Sequence, residues 1–313
     1  MANKVFIIGN GFDVDLGFRT KYSDYYGIWH LNGYWPFENA NFGLGKYLND
    51  KVANKKVTRE NWLDLEMALF EYAAADNGVA SRLEDGNYPV DSDRDDFNLL
   101  KENLSQYLNR IPWETKPNDN SVAKTVLHYI LDRKDYNIYS FNYTDLKKFS
   151  ARLFDNATIY DGKEVEIDYT QVHGSLKNND IVLGVHSDAE LIEGYDFLRK
   201  IDQPSFNPEN LLSDLNKAEE VVIFGLSIGL IDFPYFRNFF KKWSSDVIDS
   251  AKKIRISIFT YNDISEQQIN KNLRELTKTD LLLLKTNTIF EVFHTVDNGK
   301  SDNKRLQTWL LRE

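Results

Sequence analysis

The stretch Val5-Phe6-Ile7-Ile8-Gly9-Asn10-Gly11-Phe12-Asp13, with Leu16-Gly17 close behind, opens the chain and decides how the rest is read. Four apolar residues, three of them β-branched, read as a buried strand. The glycines that follow allow a sharp turn that leaves backbone N–H groups uncovered. A helix starting near Asp13 would add its N-terminus, and together these groups suit a phosphate or another anion. Strand, glycine turn and helix are the usual opening of a nucleotide-binding α/β domain. The dinucleotide fingerprint is incomplete, because its third glycine position is Val14 and Gly17 comes too late. Asp13 and Asp15 also put negative charge where a phosphate would sit, and Asp13 equally suits a helix cap. The loop alone leaves nucleotide binding and a plain tight turn both open.

Working outward, 313 residues can bury a large core, and 42% hydrophobic with 27% charged residues is ordinary for a soluble globular chain. The expectation is a single α/β nucleotide-binding domain over residues 1–313. No leader pattern precedes the first strand and no apolar run reaches the length of a membrane span, which predicts a cytoplasmic protein with no membrane partner. With no cysteine there can be no disulfide, thiolate zinc site or cysteine nucleophile. A net charge of −10 argues against binding nucleic acid through its phosphate backbone, which needs a basic face.

After the first strand no second strand is predicted until about residue 137. Helical spacing recurs in Trp62, Leu65, Leu69 and Tyr72, within 59–75, and in Phe97, Leu100, Leu104 and Tyr107, within 95–108. A third helix is expected over 122–131. A helical insertion at about 20–135 follows. Strands then return at 137–141, 157–160, 169–172, 181–185, 220–224 and 254–259, with strand pieces near 281–284 and 288–292. Helices are expected at 144–154, 234–243, 266–276 and 304–311, with Pro234 suiting a first helical turn. Strands alternating with helices imply a doubly wound, mostly parallel, Rossmann-like sheet with the first strand central.

Ligands of such sheets bind beyond the carboxyl ends of the strands. Four of those ends carry glycine or a compact polar group: Gly9-Asn10-Gly11, Ser140-Phe141-Asn142-Tyr143-Thr144-Asp145, His173-Gly174-Ser175, and Gly225-Leu226-Ser227-Ile228-Gly229. Gly9, Asn142, His173 and Gly225 are therefore expected to gather around one cleft. Neutral imidazole at His173 suits a general base, against a structural histidine. Asn142 suits holding a ribose or orienting water, against a helix cap. Ser227 would add a hydroxyl contact to a phosphate or ribose. Asp13 and Asp232 are too far apart in sequence to argue for a metal, and no metal site is expected. Glu66 shares a helical face with Trp62 and stays open as a ligand contact. His186 has a lesser claim to the pocket, and His30, His128 and His294 are read as structural.

Gly9-Asn10-Gly11-Phe12-Asp13, Trp62 with Glu66, Ser140-Phe141-Asn142-Tyr143, His173-Gly174-Ser175 and Gly225-Leu226-Ser227 with Asp232 resemble, in this order, the bacteriophage abortive infection family AbiH. That family looks like a distant branch of the sirtuin-like nucleotide-binding fold. The resemblance implies an NAD or related nucleotide pocket at Gly9, Asn10, Gly11, Phe12, Asp13, Gly174, Gly225, Ser227 and Asp232. It implies catalytic roles for His173 and Asn142. Two departures stand out: Thr144 occupies the position of the sirtuin aspartate, and the zinc cysteines are missing, so no zinc is expected.

The leading expectation is an anti-phage protein that binds NAD or a related nucleotide, with hydrolysis of NAD, of the NAD glycohydrolase type, as a candidate activity. The alternative is a non-catalytic nucleotide sensor or assembly module. Expected partners are the nucleotide, a phage-derived trigger and further copies of the chain. A nuclease is disfavoured by the acidic charge and the missing metal cluster.

Overall fold

Val5, Phe6 and Ile7 are fully buried at the heart of a six-stranded sheet, so the opening strand forms as its residues require. The computed structural model describes residues 3–54, 64–76, 78–80, 89–111, 118, 120–147, 167–246, 253–279, 281–296 and 300–312. Its strands are β1 (Lys4–Ile8), β2 (Tyr136–Ser140), β3 (Thr170–Gln171), β4 (Glu220–Phe224), β5 (Arg255–Thr260) and β6 (Ile289–His294). They lie in the order β3-β2-β1-β4-β5-β6, and every neighbouring pair is parallel. The first strand is central, as expected.

The helices are α1 (Asn10–Asp15), α2 (Tyr22–Leu31), α3 (Gly43–Asn54), α4 (Leu65–Ala73), α5 (Val90–Arg110), α6 (Val122–Arg133), α7 (Glu209–Lys217), α8 (Phe233–Trp243), α9 (Asp263–Thr277), α10 (Leu281–Asn287) and α11 (Lys300–Leu310). The chain divides into two compact units. The first comprises Met1–Phe18, Trp113–Val172 and Asn207–Glu313; the second comprises Arg19–Pro112 and His173–Phe206. The sheet and α1 with α6–α11 belong to the first unit, and α2–α5 to the second.

In the first unit the strand order has a direct consequence for ligand binding. From β1 the sheet grows one way through β2 and β3, then restarts on the other side of β1 with β4, β5 and β6. The direction of winding reverses between β1 and β4, and this is the Rossmann order of strands. Register places Ile8 opposite Ser140 on one side and Phe224 on the other, so the turns after β1, β2 and β4 leave the sheet at one level. Val221, Val222, Ile223 and Phe224 are fully buried, as expected of a strand covered on both faces. On α8, Pro234 sits in the first turn, and Phe236, Phe239, Phe240 and Trp243 follow helical spacing and are buried. Each such aromatic contributes roughly 1.5–3 kcal/mol by burial.

In the second unit the described residues between 20 and 112 are helical or irregular, with no strand among them. Asp93 is its polar centre. This fully buried carboxylate accepts hydrogen bonds from Tyr72 Oη at 2.7 Å, Tyr195 Oη at 2.6 Å and the Leu44 amide at 2.7 Å. One side chain thereby ties α3, α4 and α5 to the 173–206 segment, because a buried polar group needs hydrogen-bond partners.

Two strand assignments are corrected. Leu281–Leu284 lies in α10; a short leucine run suits either element, and leucine's helix propensity prevails. Residues 181–185 form no strand, only a bridge from Val185 to Arg199. Gly184 there has φ +142, and a Cβ on it would stand 2.0 Å from the Leu198 carbonyl. The helices α2, α3 and α7 were not foreseen. The strand expected at 157–160 lies outside the described residues, as do Trp62 and most of the 144–154 helix. No helix among the described residues is long and apolar enough to cross a membrane.

Candidate functional site

The turn after β1 and the turn after β4 meet at the reversal of the sheet, and they meet backbone to backbone. Gly9 N–H donates to the Phe224 carbonyl at 2.8 Å, Gly11 N–H to the Gly225 carbonyl at 2.8 Å, and Gly225 N–H to the Phe259 carbonyl at 2.9 Å. A Cβ on Gly11 would lie 2.6 Å from Gly225 Cα, and one on Gly9 would lie 2.8 Å from the Gly225 carbonyl oxygen. These glycines are required because two main chains touch. The expectation that the turn leaves its N–H groups uncovered is corrected for Gly9 and Gly11, and Phe12 N–H likewise returns to the Gly9 carbonyl at 2.9 Å. Phe12 itself packs edge-on against Phe224, with ring centroids 5.3 Å apart, and so belongs to the core. Asn10, half-buried, opens α1.

Below the turn lies a buried carboxyl. Asp13 accepts from Asn142 Nδ2 at 3.0 Å on one oxygen and from Thr144 Oγ1 at 2.8 Å on the other. Burial pushes its pKa up to about 7, against the two hydrogen bonds that favour the charged form. Asn142 Nδ2 also donates to the Gly9 carbonyl at 3.1 Å, so its amide hydrogens are both spent and its carbonyl is what remains to offer a ligand. Position 144, where the resemblance leads one to expect a carboxylate, carries a hydroxyl that meets the carboxyl of Asp13 instead. Asp15 turns toward α6 and accepts from the Ala123 amide at 2.7 Å, and burial raises its pKa too. Both carboxyls are thus turned onto partners within the protein.

The turn after β4 is held from α9. Asn272 Nδ2 donates to the Ser227 carbonyl at 2.9 Å, and Gln268 Nε2 steadies the Asn272 side-chain oxygen at 2.8 Å. Ser227 itself is exposed. The next residue, Ile228, is fully buried with φ +50, a left-handed backbone that costs a β-branched residue roughly 1–2 kcal/mol. Asp232 accepts from the Gly229 amide at 3.3 Å and closes the turn just before α8. Sequence reasoning missed Asn272, whose only signal was a polar residue on the buried face of α9.

The second unit holds His173 and Gly174. His173 is buried, its ring stacked on Phe206 at 6.3 Å. Burial, helped by the charge of Lys200, lowers its pKa well below 6.5, so the imidazole is neutral. Gly174 has φ +67, and its Cβ would stand 2.1 Å from the Asp180 carbonyl oxygen, which makes it a turn requirement. Lys200 is fully buried and pairs with Glu66 at 2.8 Å, giving Glu66 a structural partner. Of the four positions expected to share a cleft, Gly9, Asn142 and Gly225 meet in the first unit. His173 belongs to the second.

A comparison with curated proteins finds no matching relative. The description of the bacteriophage abortive infection AbiH family matches residues 5–251, a span that includes the β1, β2 and β4 turns. That span is most of the chain, and it carries the motifs in the order set out above. This protein belongs to the bacteriophage abortive infection AbiH family.

Proposed function

We propose that this AbiH protein serves anti-phage defence by binding a nucleotide of the NAD class at the β1–β4 reversal. The supporting observation is the meeting of the Gly9-Asn10-Gly11 turn, Asn142 and the Gly225–Gly229 turn at the carboxyl ends of a Rossmann-ordered sheet. Ligands of open parallel sheets bind at that place. In this reading the Asn142 carbonyl accepts from a ribose hydroxyl, and the Ser227 hydroxyl reaches a phosphate or the second ribose. Asp13, near half-protonated at pH 7, repels a phosphate less than a full carboxylate would. Burial lowers the pKa of His173 and so makes its imidazole a weaker proton acceptor, and the assay below separates binding alone from hydrolysis.

Calorimetric titration of NAD, run beside an assay for released nicotinamide, tests this. Saturable binding is expected, weakened about tenfold in Asn142→Ala and in the exposed Ser227→Ala, as for one lost ligand hydrogen bond. No binding of NAD, ADP or ATP by the wild-type chain would remove the reading. Nicotinamide release by wild type that disappears in His173→Ala would replace the sensor with a hydrolase.

A further inference from the structure

We propose that Asp263, Glu266 and His294 form a binding site for a first-row divalent cation at the carboxyl end of β5 and β6. The site lies in the first unit, outside residues 5–251, and it does not depend on nucleotide binding. The fold builds it in two steps. Asp263 and Glu266 are three apart in the first turn of α9, so they share a helix face. Asn262 fixes that turn by accepting from the Ser265 amide at 3.1 Å and the Ser265 hydroxyl at 3.2 Å. His294 ends β6, in register with Thr260 at the end of β5, and α9 begins three residues later. The imidazole is thus delivered by a strand and the carboxylates by the helix beside it.

The two carboxylates flank the imidazole, one at each ring nitrogen. Glu266 Oε2 lies 2.9 Å from His294 Nε2, and Asp263 Oδ1 lies 3.5 Å from Nδ1. One ligand atom from each of the three residues lies within 4.8 Å of the others. A metal takes one ring nitrogen only, so an ion on Nε2 meets Glu266 where it stands and requires the exposed Asp263 to swing round from the Nδ1 side. Ligands about 2.1 Å from a metal stand roughly 3 Å apart around it. Glu266 and His294 are half-buried and Asp263 is exposed, which leaves Asp263 room to close on the ion.

Charge points the same way. Two carboxylates around one imidazole leave a net negative charge even when the ring is protonated, and a dication offsets it. One imidazole nitrogen with two carboxylate oxygens is a mixed donor set that suits Mn²⁺ or Zn²⁺ and disfavours soft copper(I). Three protein ligands leave coordination positions open for water. The sequence reading gave His294 a structural role, because its carboxylate neighbours are about thirty residues away along the chain.

The test uses the full chain, stripped with a chelator and titrated with Mn²⁺ by electron paramagnetic resonance and with Zn²⁺ by calorimetry. One saturable site is expected, with the ring nitrogen resonances of His294 shifting in the Zn²⁺ titration. His294→Gln and Glu266→Gln should each weaken binding by more than about tenfold, with the exposed Asp263→Asn as a variant that keeps the fold. Thermal melts of the metal-free variants establish that they are folded. The proposal fails if the wild-type chain binds neither ion below millimolar concentration. It fails equally if folded Asp263→Asn and Glu266→Gln bind as tightly as wild type.

Discussion

Gly225→Ala is expected to unfold the first unit or leave it barely stable. Gly225 has φ +68, and an L side chain there costs roughly 1–2 kcal/mol. Its new Cβ would stand 2.4 Å from the Phe12 amide nitrogen and 2.5 Å from Gly11 Cα, both of them main chain. Backbone cannot rotate away, so the two turns must separate. That stretches the Gly11 to Gly225 and Gly9 to Phe224 hydrogen bonds, each 2.8 Å in the native structure. Leaving a buried donor unsatisfied costs about 1–3 kcal/mol, so the total comes to several kcal/mol. Stability of an ordinary domain is only about 5–15 kcal/mol. Gly17→Ala is the control: its φ is +97 but nothing lies within 4 Å of the added Cβ, so it should lose only the backbone term. Urea unfolding of the two variants side by side measures the difference. Equal midpoints would mean that the turns are not in contact.

Asp13→Asn is expected to stabilise the protein above neutral pH and to leave it unchanged in acid. The carboxyl titrates near 3.8 when unfolded and at about 7 when folded, with burial as the main cause. A raised folded pKa means that the native state holds the proton more tightly. Its contribution to stability is complete below about pH 4 and is lost as pH rises through 7. The rise from 3.8 to about 7 corresponds to at most about 4 kcal/mol. Asparagine reproduces the protonated acid: its oxygen accepts from Asn142 and its amide donates to Thr144. The variant should therefore show a flatter dependence of unfolding midpoint on pH between 4 and 8, and a higher midpoint at pH 8. A wild-type midpoint that does not fall over this window would show that Asp13 stays charged in the fold. In the NAD titration that tests the proposed function, the same variant at pH 8 separates charge from shape, because Asp13→Asn removes the negative charge and keeps both partners in hydrogen-bond reach.

The sequence by itself determined the framework of the first unit. Val5-Phe6-Ile7-Ile8 and Glu220 to Phe224 are continuous apolar runs that only a strand covered on both faces can bury, and the turn glycines mark where each run ends. The helices with strict apolar spacing, α4, α5, α6, α8 and α9, were legible for the same reason: one face repeats every 3.6 residues. Short runs without a period were not. Leu281–Leu284 and Ile181–Val185 are equally apolar, and their outcome depends on what packs against them.

Tertiary structure alone decided what the polar residues do. Asp13, Asn142 and Thr144 form one hydrogen-bonded group, although the first is about 130 residues from the others, because parallel register brings the ends of β1 and β2 to one level. Glycine at 9, 11 and 225 looks in sequence like a phosphate cradle, and space makes it the contact between two main chains. His173 reads as a base from its neighbours in the chain, whereas its surroundings depress its pKa. Apolar periodicity is a local property that each segment carries within itself. Hydrogen-bond partners, burial and charge come from residues far away in the chain, so only the folded structure assigns them.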